Sequence, residues 1–159
     1  MLFRSTLASG KVFENFLGEF HNERTFFHGH SYTANPPGCA AALASLKIFE
    51  KDRTLENVQK ISRQATLWLT RMMSLEHVAE TKQAGLMIGI EIEEDPNTVT
   101  PYDPKLMMGR RVAAAARERG LIIRPLGDVV VVMPPLCVNK EEIGEIMRIT
   151  MESIKEVTE

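Results

Sequence analysis

The sequence predicts an α/β chain in an α+β layer arrangement, with helices packed on a small, mostly antiparallel sheet. Three patterns point there. Apolar residues recur three and four apart over residues 54–73 and again after Asn139, the mark of helices with one buried face. Ile88, Ile90 and Ile92 alternate with Gly89 and Glu91, the mark of a strand covered on one side. Two short branched runs, 121–124 and 129–133, are joined by Pro125-Leu126-Gly127-Asp128, a turn sequence that closes a second hairpin.

From the start of the chain, residues 2–7 read as a short extended stretch. Residues 9–16 form a short helix with Val12, Phe13 and Phe16 on one face. Residues 18–27 are a polar connection, ending in Phe26-Phe27, whose rings anchor the turn that follows. Asn35 is placed to cap a helix, and Pro36 stands at the first helical position, where its missing N–H costs nothing. That helix is alanine-rich, runs to about Lys51, and carries Cys39, Leu43, Leu46 and Phe49 on one stripe. Thr54 caps the next helix, whose apolar positions are Leu55, Val58, Ile61, Ala65, Trp68 and Met72. Trp68 is read as core.

Residues 86–93 form the covered strand, with 78–83 as its hairpin partner across Ala84-Gly85. Residues 95–101 have turn chemistry throughout. Asp103-Pro104 repeats the cap-then-proline logic and starts a helix that runs to Arg119 and stops at Gly120. Arg124 ends the strand 121–124, and Pro134-Pro135 ends the strand 129–133. Asn139 then caps a terminal helix, and Glu142 completes a capping box. Its stripe is Ile143, Ile146, Met147, Met151, Ile154 and Val157.

The 159 residues suffice for a domain with a real core. A net charge of −2 gives no general attraction for nucleic acid or a membrane surface. No apolar run approaches the ~18 residues that span a bilayer, and no signal peptide is evident. The cysteines, Cys39 and Cys137, sit far apart in apolar contexts, which suits a reducing, cytoplasmic setting better than a disulfide framework.

The residues that could carry chemistry fall in two places. The turn His28-Gly29-His30-Ser31-Tyr32-Thr33 is held at the mouth of a capped helix, where hydroxyls and free backbone N–H groups can hold a phosphate. Zinc is the rival reading, since His28 and His30 are two apart with His21 and Cys39 nearby, but no second pair at matching spacing exists. No metal site is expected. Ser31 lacks the Gly-x-Ser-x-Gly elbow of a hydrolase nucleophile. The second place is Arg124, a strand-end guanidinium able to grip a carboxylate through two parallel hydrogen bonds. Arg110-Arg111 and Arg117-x-Arg119 make a locally basic helix, read as a solvated face or a subunit contact.

The run HGHSYTANPPGCAAALASLKIFE, residues 28–50, resembles the class III (fold type I) pyridoxal-phosphate aminotransferases, and within them the branch that serves biotin synthesis. A second match lies at 120–127, GLIIRPLG, followed by Met133-Pro134-Pro135. The two motifs occur in the family's order, and together the resemblance covers nearly the whole chain. It implies a fold: residues 1–35 as a remnant of the large cofactor-binding domain with its phosphate turn, and 36–159 as the C-terminal small domain with its connecting helix.

The resemblance also implies roles. Ser31 holds the phosphate of pyridoxal 5'-phosphate in the other subunit of a homodimer, with backbone help from His30. Gly29 lies against the substrate, and Arg124 binds the carboxylate of a long keto acid. The activity implied is transfer of an amino group from S-adenosylmethionine, or lysine, to 8-amino-7-oxononanoate, giving 7,8-diaminononanoate. The family's Schiff-base lysine lies upstream of the region matching Met1, and no lysine from Lys11 to Lys155 has its context. The chain is thus expected to be a C-terminal portion with no catalytic residue of its own, inactive alone. The alternatives are another class III ω-aminotransferase, or a non-catalytic fragment still able to associate.

Overall fold

A computed structural model describes residues 8–29 and 31–159. The expected extended stretch at 2–7 and the side chain of His30 lie outside them. The chain divides into two compact units, Met1–Asp52 and Arg53–Glu159.

In the first unit, α1 spans Gly10–Glu14, with Ser9 capping through a bond from the Val12 N–H. The helix is shorter than the expected 9–16 and leaves Phe16 beyond its end, and Val12, Phe13 and Phe16 are exposed. A single 3-10 turn, Phe20–Asn22, interrupts the expected polar connection. Helix α2 spans Pro36–Lys51, and Asn35 is its cap. The stripe Leu43, Leu46 and Phe49 is exposed, and no described residue of this unit is buried.

The second unit is a four-stranded antiparallel sheet, order β1-β2-β4-β3, with helices packed on it. Helix α3 covers Thr54–Met72. Thr54 is its first helical residue and not its cap: Arg53 occupies that position in the left-handed region, φ 46°, and its carbonyl accepts from the Asn57 N–H at 3.1 Å. Leu55, in the first turn, lies ahead of the point where the core begins at Ile61 and is exposed. Trp68 is only partly buried, packed against the core with the Arg71 guanidinium 5.2 Å from its ring. Leu69 takes the fully covered position beside it.

Strands β1 (Val78–Ala84) and β2 (Met87–Ile92) form the expected hairpin, with Gly85-Leu86 as its two-residue connection. Ile88, Ile90 and Ile92 all face the core, as their alternation requires. The helix expected from Asp103 is broken. Asp103 does cap, accepting from the Lys105 N–H at 2.9 Å, but over a single 3-10 turn, Pro104–Leu106. Met107 then turns left-handed at φ 50°, and α4 runs Met108–Glu118. Gly120, at φ 87°, ends it: the Gly120 N–H bonds to the Arg117 carbonyl and the Leu121 N–H to the Ala116 carbonyl, the Schellman pattern.

Strand β3 is Arg124–Leu126 and β4 is Val129–Val132. The expectation had the first of these strands at 121–124, with Pro125 in the turn. Because β3 is an edge strand, proline is tolerated inside it, and Pro125 pairs with Val130. Arg124 therefore opens a strand and does not close one. Helix α5, Lys140–Thr158, starts with the predicted capping box at 2.9 and 2.8 Å. Its face Ile143, Met147 and Ile154 joins Ile61, Ala65, Leu69 and Met72 of α3, Met108 and Val112 of α4, and the sheet in one core.

Candidate functional site

The turn carrying Gly29 and Ser31 follows a small cluster of aromatic rings. The Phe26 ring lies 5.2 Å from Phe16 and 5.5 Å from His28, but Phe26 and Phe27, both expected to anchor the turn, are exposed. Ala34 is left-handed at φ 53°, and the Asn35 N–H donates to the Tyr32 carbonyl at 3.2 Å. Asn35 Oδ1 accepts from the Gly38 N–H at 2.9 Å, and the Cys39 N–H donates to the Asn35 carbonyl at 3.0 Å. Pro36 and Pro37 have no N–H to give. The expectation that free N–H groups of this helix start would hold a phosphate is thereby corrected: residues 36–39 leave none over.

Ser31, in the turn ahead of the capped helix, is exposed. That arrangement fits one hydroxyl donor to the phosphate of a cofactor. A Cβ at Gly29 would meet only Thr33 Oγ1, at 3.9 Å, so nothing described in the first unit demands glycine there. His30 lies outside the described residues. Among the described residues no group of three or more His, Cys, Asp or Glu is placed to hold a metal, and no helix is long and apolar enough to cross a membrane.

Arg124 belongs to the second unit and lies where two concavities meet. One is an open cleft of about 420 Å³ lined by Leu121, Ile122, Ile123, Val131, Met133 and Ile146, among other apolar residues. Arg124 is its only charged residue. The other, about 560 Å³, runs between α4 and the edge strand β3 and is lined by Arg110, Ala113, Ala114, Arg117, Ile123, Arg124 and Pro125. The basic character of α4 is visible in sequence. Its convergence on Arg124 is not, because it depends on where β3 docks.

The motif around Arg124 is held from α4. The Gly109 N–H donates to Asp128 Oδ1 at 3.0 Å, and a Cβ at Gly109 would stand 2.2 Å from the Gly127 carbonyl oxygen. Only glycine lets the start of α4 close on the β3–β4 turn. Ser31 and Arg124 thus each occupy a defined local setting, one in each unit.

The class III aminotransferase family model matches residues 1–154. The chain is 47% identical over 156 residues to the adenosylmethionine-8-amino-7-oxononanoate aminotransferase of Nitratidesulfovibrio vulgaris, covering 98% of this chain and 29% of that protein. It is 43% identical to the enzyme of the same name from Anoxybacillus flavithermus, covering 98% of this chain and 34% of the other. The crystal structure of the Methanocaldococcus jannaschii enzyme of that name superposes with a TM-score of 0.88 at 39% identity, over 92% of this chain and 34% of that one. A PMP-bound aminotransferase from Vibrio fluvialis superposes at 0.82, with 27% identity, over 86% of this chain and 30% of that one. The chain therefore spans about a third of the length of the relatives it matches.

Proposed function

The chain belongs to the class III aminotransferases, and on that premise we propose that it serves the pyridoxal-phosphate-dependent transfer of an amino group to 8-amino-7-oxononanoate, giving 7,8-diaminononanoate. The observation that carries the substrate is Arg124 as the lone charge in an otherwise apolar cleft. An extended aliphatic chain with a terminal carboxylate matches such a cleft, since apolar walls bury the chain and one cation fixes its end. The guanidinium fork meets the carboxylate with two parallel N–H···O bonds, which sets direction as well as affinity.

Ser31 would donate its hydroxyl hydrogen to the cofactor phosphate, with the backbone at His30 beside it, and Gly29 would leave room for substrate. When bound, pyridoxal phosphate supplies the electron sink for the amino-group transfer. In this proposal no lysine of the chain has a catalytic role. The complete enzyme acts as a homodimer in which Ser31 of one subunit and Arg124 serve pockets completed by further protein, with S-adenosylmethionine or lysine as amino donor.

The test is steady-state kinetics of the complete enzyme with Arg124→Gln and Arg124→Lys. Losing a charge-assisted pair costs about 1.5–3 kcal/mol, so the glutamine variant should raise KM for the oxononanoate by roughly ten- to a hundredfold. Lysine should recover only part of it, having no fork. An unchanged KM with the keto acid, or full turnover of ω-amines lacking a carboxylate, would move the assignment to another class III ω-aminotransferase.

A further inference from the structure

Helix α4 carries three arginines and a fourth, Arg119, at its C-cap, and they do not share one environment. Arg119 is paired with Glu152 and Glu156 of α5. Arg111 Nη1 sits 3.2 Å from Met108 Sδ. Arg110 and Arg117 are seven residues apart on the same face as Ala113 and Ala114, and all four line the groove that Arg124 enters from β3. The two alanines leave the space and the three arginines line it, with Arg110 Nη1 3.9 Å from Met107 Sδ. No carboxylate lines the groove, and among the described residues none lies within 4 Å of Arg110, Arg117 or Arg124. The chain as a whole carries a charge of −2, so three unneutralised cations around one groove are a local arrangement and not a consequence of composition.

We propose that Arg110 and Arg117 extend the carboxylate site at Arg124 into a three-guanidinium groove that captures the anionic end of an extended aliphatic ligand. The inference rests on the reading of Arg124 given above. Arg124 is the one charged residue shared by the basic groove and the apolar cleft, which also share Ile123. A ligand whose chain lies in the cleft therefore presents its carboxylate to the groove. Converging like charges raise the local concentration of an anion and speed its arrival, and salt weakens that effect. Arg110 and Arg117 are thus positioning residues: they bring the carboxylate in and keep it facing Arg124, which holds it.

The experiment titrates the full 159-residue chain with heptanoate, a probe with one carboxylate and an apolar tail. Arginine Nε–H NMR signals report on the groove, and Leu121 and Ile146 methyl signals report on the cleft. Heptanamide and inorganic phosphate are the control ligands. Heptanoate should shift all three arginines and both methyl groups with one saturation curve. Heptanamide should bind more weakly, and phosphate should shift the arginines alone.

Arg110→Gln and Arg117→Gln should each weaken heptanoate by roughly threefold and together flatten its salt dependence, while Arg110→Lys and Arg117→Lys restore that dependence. Both positions are exposed, so circular dichroism should show the variants folded. Wild-type affinity and salt dependence in the Arg110→Gln/Arg117→Gln double variant would overturn the proposal, as would no saturable heptanoate shift at these arginines. If Arg124→Gln binds heptanoate like wild type while the α4 variants do not, the groove stands and the carboxylate role of Arg124 falls.

Discussion

Tyr102 shows what a single side chain can carry unannounced. It is 7% exposed, its ring is 5.9 Å from that of His77, and its hydroxyl has no hydrogen-bond partner. Burial, and then the negative charges of Glu94 and Asp128, raise its pKa above the ordinary value of 10.0. An acid whose folded pKa is raised contributes stability that is whole below the unfolded value and fades as pH climbs through the folded one. The fold should therefore lose stability from about pH 10 upward, and Tyr102→Phe should blunt that loss, as read by urea melts at pH 9 and 11. In a Tyr32→Phe background, absorbance titration of the remaining phenol should give a midpoint above 10; a midpoint at or below it refutes the assignment. Nothing local in the sequence marks Tyr102, since its setting is made by the loop after β2 and by the β3–β4 turn. Arg124 was legible because its neighbours form a recognisable run. Arg110 and Arg117 were legible only as charge, their shared groove being a matter of tertiary docking.

Helix α4 begins where sequence reasoning did not put it, and the cause is a partner nineteen residues away. Asp103-Pro104 is a sound local start, yet the turn it caps lasts three residues before Met107 reverses to φ 50°. The helix then restarts with no side-chain cap of its own. Asp128, from the β3–β4 turn, supplies the acceptor for the Gly109 N–H. Asp128→Ala should cost about 0.5–2 kcal/mol, the usual range for a lost helix cap. Gly109→Ala should cost at least as much, about 1–3 kcal/mol, because its Cβ meets a backbone oxygen that cannot swing aside. Thermal melts rank the two, and an Asp128→Ala variant as stable as wild type would remove the capping role. Elements governed by their own residues were readable in this chain: the capping box on α5, the Asn35 cap on α2, the Ile88–Ile92 alternation. The starts of α3 and α4 and the position of β3 were not, because left-handed residues and an edge-strand proline are permitted by tertiary context and disfavoured by local rules.

The two units differ in what holds them together. Every buried hydrophobic residue of the core lies between Ile61 and Ile154, inside Arg53–Glu159. In the first unit the amphipathic pattern of α2 is present, but Leu43, Leu46 and Phe49 are exposed. Periodicity in a sequence records that a face is to be covered and says nothing of what covers it. The α2 stripe is therefore legible in the sequence as a stripe, and its cover is not. It follows that residues 53–159 hold the information for a cooperative fold, since among the described residues every buried hydrophobic side chain, whose burial offsets chain entropy, is theirs. Expressed alone, 53–159 should unfold in urea with a single sigmoid that coincides by fluorescence of Trp68 and by far-UV circular dichroism. Residues 1–52 alone should show no cooperative transition, because isolated helices of this length, lacking a buried face, are marginal in water. Non-coincident curves for 53–159 would mean that its core is completed from outside that segment.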